Sequence, residues 1–169
     1  MSIMKKLMSI IPLFIIYTLV ITNFTLSQPR ITILPFQNMD GNLALNIWCY
    51  NLQDSLAKAL IELDPNQEHF KIVPLDSVEV LLTEFNLDPT NPQYPSDIWK
   101  VVKLLNVQKV ITGNFNTQAG YYLINAYVYD VRTKLPHPLY QAKDIFKTEK
   151  EIYDAVPIIV ESIKGAFIK

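Results

Sequence analysis

The spacing of hydrophobic and polar positions changes several times along the chain, and each change marks an element. The stretch Val107–Arg132, VQKVITGNFNTQAGYYLINAYVYDVR, is dominated by Val, Ile, Tyr and Phe, which suit a pleated, half-buried surface. It predicts two long strands folded back across the polar break Asn116–Gly120, a hairpin with a longer connection closed by Gly120. In the second of these strands Tyr122, Ile124, Ala126 and Val128 share one face, while Tyr121, Leu123, Asn125, Tyr127 and Tyr129 share the other. Upstream, Arg30–Phe36 is apolar on both alternating faces, as a strand covered on each side requires, and Pro35 stops its pairing. From Leu43 to Leu63 the set Leu45, Trp48, Leu52, Leu56, Ala59, Leu60 and Leu63 recurs at three and four, with Asp54 and Lys58 opposite. That is a long amphipathic helix carrying an i,i+4 ion pair.

Phe70–Pro74 reads as a short second strand. Asp76 followed by Glu79 has the spacing of a capping box, and Val78, Leu81, Leu82 and Phe85 form one stripe, so a short helix is predicted from near Ser77. Asp88–Pro95, with prolines at 89, 92 and 95, is an irregular connection. Ser96 is the expected cap of a third helix with the stripe Ile98, Val101, Val102 and Leu105; Trp99 falls off that stripe, and Asn106 closes the helix. After the hairpin, Asp130 and Thr133 are placed to hold a turn by bonding the backbone. Leu139–Phe146 follows as an edge strand, because Pro136 and Pro138 bar it from the centre of a sheet. Thr148 caps a last helix, Glu149–Phe167, with Ile152, Val156, Ile159 and Ile163 inward and Pro157 either kinking it or marking its true first turn. The order implies a parallel crossover first and antiparallel hairpins later, in one mixed sheet with helices on both faces and a single domain over residues 29–168.

Composition changes this picture at the amino terminus. Residues 1–27 hold Lys5 and Lys6, then the apolar run Leu7–Phe24, then Thr25, Leu26 and Ser27 before Gln28, the order of a secretory signal peptide cleaved near Ser27. The alternative is an uncleaved membrane anchor, which Pro12, Thr18, Thr22 and Asn23 weaken. Taking the two lysines of the leader from 15 basic residues leaves 13 against 16 acidic ones, a balance of −3. No basic surplus remains to neutralise phosphates, and nucleic acid is excluded as a partner. Cys49 is the single cysteine, so the chain forms no internal disulfide; among Ile47, Trp48 and Leu52 it reads as a small buried hydrophobe, far from where a lipidated cysteine would follow the leader.

A search for chemistry finds no nucleophile elbow, phosphate loop or dinucleotide motif, and the four glycines (41, 113, 120 and 165) are scattered. His69 and His137 read as solvated loop residues without metal-ligand company. Glu62, Asp64, Glu149 and Glu151 stand at helix ends, where dipole and capping effects explain them. No catalytic, metal or cofactor residues are assigned. What remains is aromatic. Tyr121, Tyr127 and Tyr129 share one strand face, to be covered by a helix or offered to a partner, and Tyr94 and Trp99 beside the proline-rich loop form a second contact candidate. A ligand cleft near Asn38, Gly113 and Asn114 is the competing reading.

Several segments together, ITILPFQNMDGN, FKIVPLDSVEVLLTE, WKVVKLLNVQKVITGNF and INAYVYDVRTK, resemble the amino-terminal domain of TolB and the related domain of the curli secretion protein CsgG. Members of that family begin with a strand ending Leu-Pro-Phe before Asn, here Leu34-Pro35-Phe36 and Asn38. Later come a helix ending Leu-Gly-Ala, a strand ending Thr/Val-x-Gly and a strand closing on Asp with a Thr-Gly turn; here these are Leu104-Leu105-Asn106, Ile111-Thr112-Gly113 and Asp130-Val131-Arg132-Thr133-Lys134. Asn106 and Lys134 depart from the pattern by standing where small residues or glycine are usual. The resemblance covers residues 29–168 and implies an anticodon-binding-like three-layer α/β/α sandwich with a mixed five-stranded sheet. It further implies a non-enzymatic domain without cofactors that binds other proteins of the bacterial envelope, periplasmic or secreted or held at the outer membrane. A small-molecule or peptidoglycan-binding sensor of the same fold is the alternative.

Overall fold

The computed structural model describes residues 28–168; the leader expected over residues 1–27 lies outside them. Ten elements organise the chain: β1 (Arg30–Ile33), β2 (Gln37–Asn38), α1 (Ile47–Leu63), β3 (Lys71–Ile72), α2 (Leu75–Glu84), α3 (Tyr94–Leu105), β4 (Lys109–Gln118), β5 (Tyr121–Asp130), β6 (Leu135–Lys147) and α4 (Ala155–Ile163). The sheet runs β3-β1-β4-β5-β6, and the two-residue β2 also pairs with β4. β1 is parallel to both β3 and β4, with Ile31 opposite Ile72 and Lys109, whereas β4, β5 and β6 are antiparallel. The sheet is therefore mixed, with helices on both sides, as the order of elements required.

Two apolar clusters define the layers. Ile31, Ile33, Phe36, Ile111, Phe115, Ile124, Ala126 and Val128 face α1 and α4, meeting Leu52, Leu56 and Leu60 from one helix and Ile159 and Ile163 from the other. On the opposite side Leu34, Val107 and Val110 pack under α2 and α3 through Val78, Leu82, Ile98, Val101 and Val102. The Leu-Pro-Phe segment serves both sides, sending Leu34 to one cluster and Phe36 to the other. Pro35, which has no N–H, sits where β1 leaves the ladder, and Phe36 N–H goes instead to the Cys49 carbonyl at 2.9 Å. Asn38 then holds the loop ahead of α1, its amide donating to the Asn42 carbonyl at 2.9 Å and to Asn46 Oδ1 at 2.8 Å. Cys49 is buried, and that burial raises its thiol to about 11.

Several local expectations are corrected. The hairpin is tight: β4 and β5 run to Gln118 and Tyr121, and only Ala119 (φ 51°) and Gly120 (φ 82°) make the turn. α2 starts at Leu75 behind Pro74 with no side-chain cap, so the Asp76/Glu79 box is not formed. α3 starts at Tyr94 with Pro95 in its first turn, and the Ser96 hydroxyl donates back to the Gln93 carbonyl at 2.8 Å rather than capping a later start. Asn106 ends α3 in the left-handed conformation (φ 50°), which asparagine tolerates. The carboxyl-terminal helix is shorter than expected, a 3-10 turn over Glu149–Asp154 giving way to α4 at Ala155, so Pro157 falls within the first turn. Asp64 does more than end α1: its carboxylate accepts from the N–H groups of Glu68 (2.9 Å), His69 (2.9 Å) and Phe70 (3.2 Å) and so ties the connection into β3. Burial opposes that charge, but the His69, Glu68 and Phe70 bonds prevail and hold the carboxyl below its ordinary value. His137 lies within β6, not in a loop, and its Nδ1 accepts from the Leu139 and Tyr140 N–H groups.

Thr32 is the one fully buried hydroxyl of β1, and its oxygen has no hydrogen-bond partner. Such a group bears a desolvation cost with nothing to offset it. Thr32→Val keeps the shape and removes the oxygen, so it should raise folding stability by about 1 kcal/mol. Urea denaturation checks this, and a lower midpoint would show that the hydroxyl is satisfied after all.

Candidate functional site

α2 and α3 cover only part of their side of the sheet. They pack over β3, β1 and β4 and reach β5 only at Tyr129 and Val131. The remainder of that face, over β5 and β6, carries no helix among the described residues. It presents Tyr121 and Phe146, 49% and 53% exposed, with half-buried Leu123 beside Phe146 and half-buried Tyr127 farther along β5. Leu123 lies opposite Phe146 and Tyr127 opposite Gln141, so the strip spans the two strands, with Asn125 between its two apolar parts.

Where α3 meets the strip, a cleft of about 170 Å³ opens. Ile98, Trp99 and Val102 of α3 form one wall, Val110, Thr112 and Asn114 of β4 the floor, and Tyr127 and Tyr129 of β5 the other wall. Leu34 and Gln37 close one end and Lys134 stands at the rim. The rings meet edge to face: Trp99 to Tyr129 at 5.9 Å and 73°, Tyr127 to Tyr129 at 6.3 Å and 61°. Burial pushes both tyrosine hydroxyls up, so they are neutral donors through the physiological range. Asn125 donates to Asn114 Oδ1 at 3.0 Å and accepts the Asp144 N–H at 2.9 Å, which locks the floor to β6.

The β5–β6 turn brings the only charged side chain to the cleft. Asp130 Oδ1 accepts from the Thr133 N–H at 3.0 Å and its hydroxyl at 3.3 Å, and the Asp130 carbonyl accepts the Lys134 N–H at 2.8 Å. The Thr133 N–H is the main reason that the Asp130 carboxyl is held below its ordinary value. Lys134 is thereby fixed at φ 58°, a conformation that costs an L-residue about 1 kcal/mol and glycine nothing. Its ammonium lies 5.6 Å from the centre of the Trp99 ring, and Lys143 stands likewise 5.8 Å from Tyr127.

The sequence-derived contact residues thus separate. Trp99 and Tyr129 come together in the cleft, Tyr127 joins cleft and strip, and Tyr121 stands at the far end of the strip. Tyr94 is 3% exposed with its hydroxyl buried; it packs in the core and lines the cleft beside Ile98. Of the residues named for a ligand cleft, Gly113 and Asn114 line this one, whereas Asn38 is spent on its own loop. Lys134, Thr112 and Gln37 were missed; the one sequence signal was a lysine in a turn that favours glycine. No group of three or more His, Cys, Asp or Glu among the described residues is placed to hold a metal ion, and no described helix is long and apolar enough to cross a membrane.

No family model and no curated protein matches the chain. Solved structures do. E. coli LpoB is 13% identical over 72% of this chain and 59% of its own, with a TM-score of 0.50. The LpoB C-terminal domain from Salmonella enterica is 14% identical over 72% of this chain and 83% of its own, at 0.48. TolB from Acinetobacter baumannii is 18% identical over 83% of this chain and 28% of its own, at 0.45. At these identities the likeness is one of fold, and the comparison with E. coli LpoB carries it. The curli-secretion half of the sequence resemblance finds no support here. The chain has a mixed α/β fold of the kind found in E. coli LpoB.

Proposed function

We propose that this chain is an exported, non-catalytic accessory module of a bacterial cell envelope, one domain behind a leader cleaved near Ser27, that works by binding another envelope protein. One observation carries the reading: the face of β5 and β6 bearing Tyr121, Leu123, Tyr127 and Phe146 has no covering helix among the described residues, while on the opposite face Tyr122, Ile124, Ala126, Val128, Ala142 and Ile145 are buried. An apolar and aromatic strip of this kind, edged by polar and charged groups, is what a partner buries. The fold likeness to E. coli LpoB and the leader-like pattern of residues 1–27 support this reading of the compartment.

The test is cross-linking of the chain in envelope preparations, followed by identification of what is joined to it. Leu123→Asp together with Phe146→Asp should abolish the joined species at unchanged expression, and Leu104→Asp, on the exposed side of α3, should not. Equal recovery with both variants would refute a contact through this strip. A second reading concerns the cleft. Rings and polar groups converging on an enclosed volume are the marks of a small-ligand site rather than of a flat protein contact.

A further inference from the structure

The cleft has a more specific chemistry than its size alone conveys. Trp99, Tyr127 and Tyr129 line it as one edge-to-face cluster with Lys134 over Trp99, and the exposed edge of such a cluster is a surface on which a C–H-rich ring packs. Its polar residues are Thr112, Gln37 and Asn114, whose Oδ1 already accepts from Asn125, so hydroxyl and amide groups of both hydrogen-bonding kinds stand at the cleft, as the hydroxyls of a sugar require. Lys134 supplies its only charge, and no carboxylate lines it. The complement of that set is a ring that is hydroxylated and carries one negative group.

Lys134 strengthens the argument because its backbone is strained. At φ 58° a glycine would be at ease, yet the position holds a long cationic side chain, and the Asp130–Thr133 turn aims it across Trp99. Of the six described non-glycine residues with positive φ, Lys134 is the one that lines the cleft. We propose that the cleft binds a carboxylate-bearing pyranose, its ring against Trp99 and Tyr129 and its carboxylate on Lys134. This rests on the small-ligand reading of the cleft and not on the protein contact. The volume of about 170 Å³ holds one such ring, so the ligand is a single residue or the end of a glycan. Two envelope chemistries supply it: a uronic acid, with the carboxylate on a ring carbon, and a sugar bearing a lactyl ether, with the carboxylate farther out.

The fluorescence of Trp99, read in a Trp48→Phe background, reports binding as glucuronic acid, N-acetylmuramic acid, glucose, N-acetylglucosamine or lactate is added to the purified chain. Calorimetry on the unsubstituted chain reads the same constants if removal of Trp48 disturbs folding. A saturable response to one or both acidic sugars is expected at a dissociation constant on the order of millimolar, the range open to a ligand of so few atoms. Which of the two binds tighter assigns the source. Neutral sugars should bind about tenfold more weakly, the loss of one charge-assisted bond. Lys134→Gly should raise the thermal midpoint while weakening the acidic sugars to the level of the neutral ones. Unchanged binding in Lys134→Gly, equal binding of neutral sugars, binding of lactate as tight as that of the acidic sugars, or no response to any probe each overturns the proposal. Because the strip variants do not alter Lys134 or Trp99, failure here leaves the protein-contact reading to its own experiment.

Discussion

Gly113→Ala is expected to cost about 3 kcal/mol of folding stability, at the upper end of what overpacking a core does. Gly113 lies in β4 on the face that packs against α1 and α4, between Ile111 and Phe115. A Cβ built there would meet Phe36 Cε1 at 2.2 Å and the Asn125 carbonyl oxygen at 2.4 Å, closer than any real contact of that kind. The Phe36 ring can shift only by leaving a fully buried site, and the Asn125 carbonyl belongs to the β4–β5 ladder, where Gly113 pairs with Ala126. The space that a side chain would take is thus already filled by the phenylalanine of Leu-Pro-Phe, which is the physical link between that motif and a glycine far from it in sequence. Phe36→Leu in the same chain should recover part of the loss by freeing the ring contact, but not the part due to the carbonyl. Urea denaturation of the two single variants and the double variant measures both. A penalty below about 1 kcal/mol for Gly113→Ala, or full recovery in the double variant, would show that the ladder yields more easily than this geometry allows.

How much of this was legible in the sequence follows from how local each signal is. The long α1 with its Asp54–Lys58 pair at 2.6 Å and the edge position of β6 came from patterns contained in single segments, whereas no local pattern carries the pairing of β1 with β4. The faces of β5 were readable because a strand of period two has only two faces, and Tyr122, Ile124, Ala126 and Val128 are indeed the buried set. Turn and cap details failed where an unusual residue carried the geometry. Ala119 adopts a left-handed conformation normally signalled by Asn or Gly, so the two-residue turn looked like a longer loop. Pro95 is already set for a first helical turn, so α3 could begin ahead of Ser96.

The cleft was legible only in fragments, because its lining comes from five separate segments: Leu34 and Gln37, the start of α3, β4, β5 and the turn at Lys134. No spacing rule connects them; the sheet order does. Burial of Tyr94 was hidden because the helix was expected to begin at Ser96; with α3 starting at Tyr94, that residue falls four before Ile98 on the buried stripe. Coverage of the strip is a question of layer width, which depends on where α2 and α3 dock across the sheet rather than on any one helix pattern.

The path of the chain along the cleft end also rests on one buried side chain, and this gives the second large effect. Gln53 of α1 is 5% exposed, and its Nε2 donates to the Ile33 carbonyl at 2.8 Å. Ile33 is the last residue of β1, where the chain departs through Pro35 toward Gln37, so that carbonyl depends on the side chain from the helix. Gln53→Leu fills similar volume but leaves the carbonyl buried without a donor, and should cost about 2 kcal/mol, the price of an unsatisfied polar group. Gln53→Glu discriminates further. When protonated, the introduced carboxyl can donate to the Ile33 carbonyl; when ionised, it cannot, and it is also a buried charge beside an acceptor. Its pKa in the folded chain should therefore stand above the unfolded value of about 4.3. A raised folded pKa gives stability that is present below the unfolded pKa and lost as pH rises through the folded one. Gln53→Glu should approach the parent below about pH 4 and fall increasingly short of it toward neutrality, whereas Gln53→Leu should show the same deficit throughout. Denaturation midpoints across that range decide it: a deficit in Gln53→Glu that does not grow with pH would mean that water, not Gln53, satisfies the end of β1.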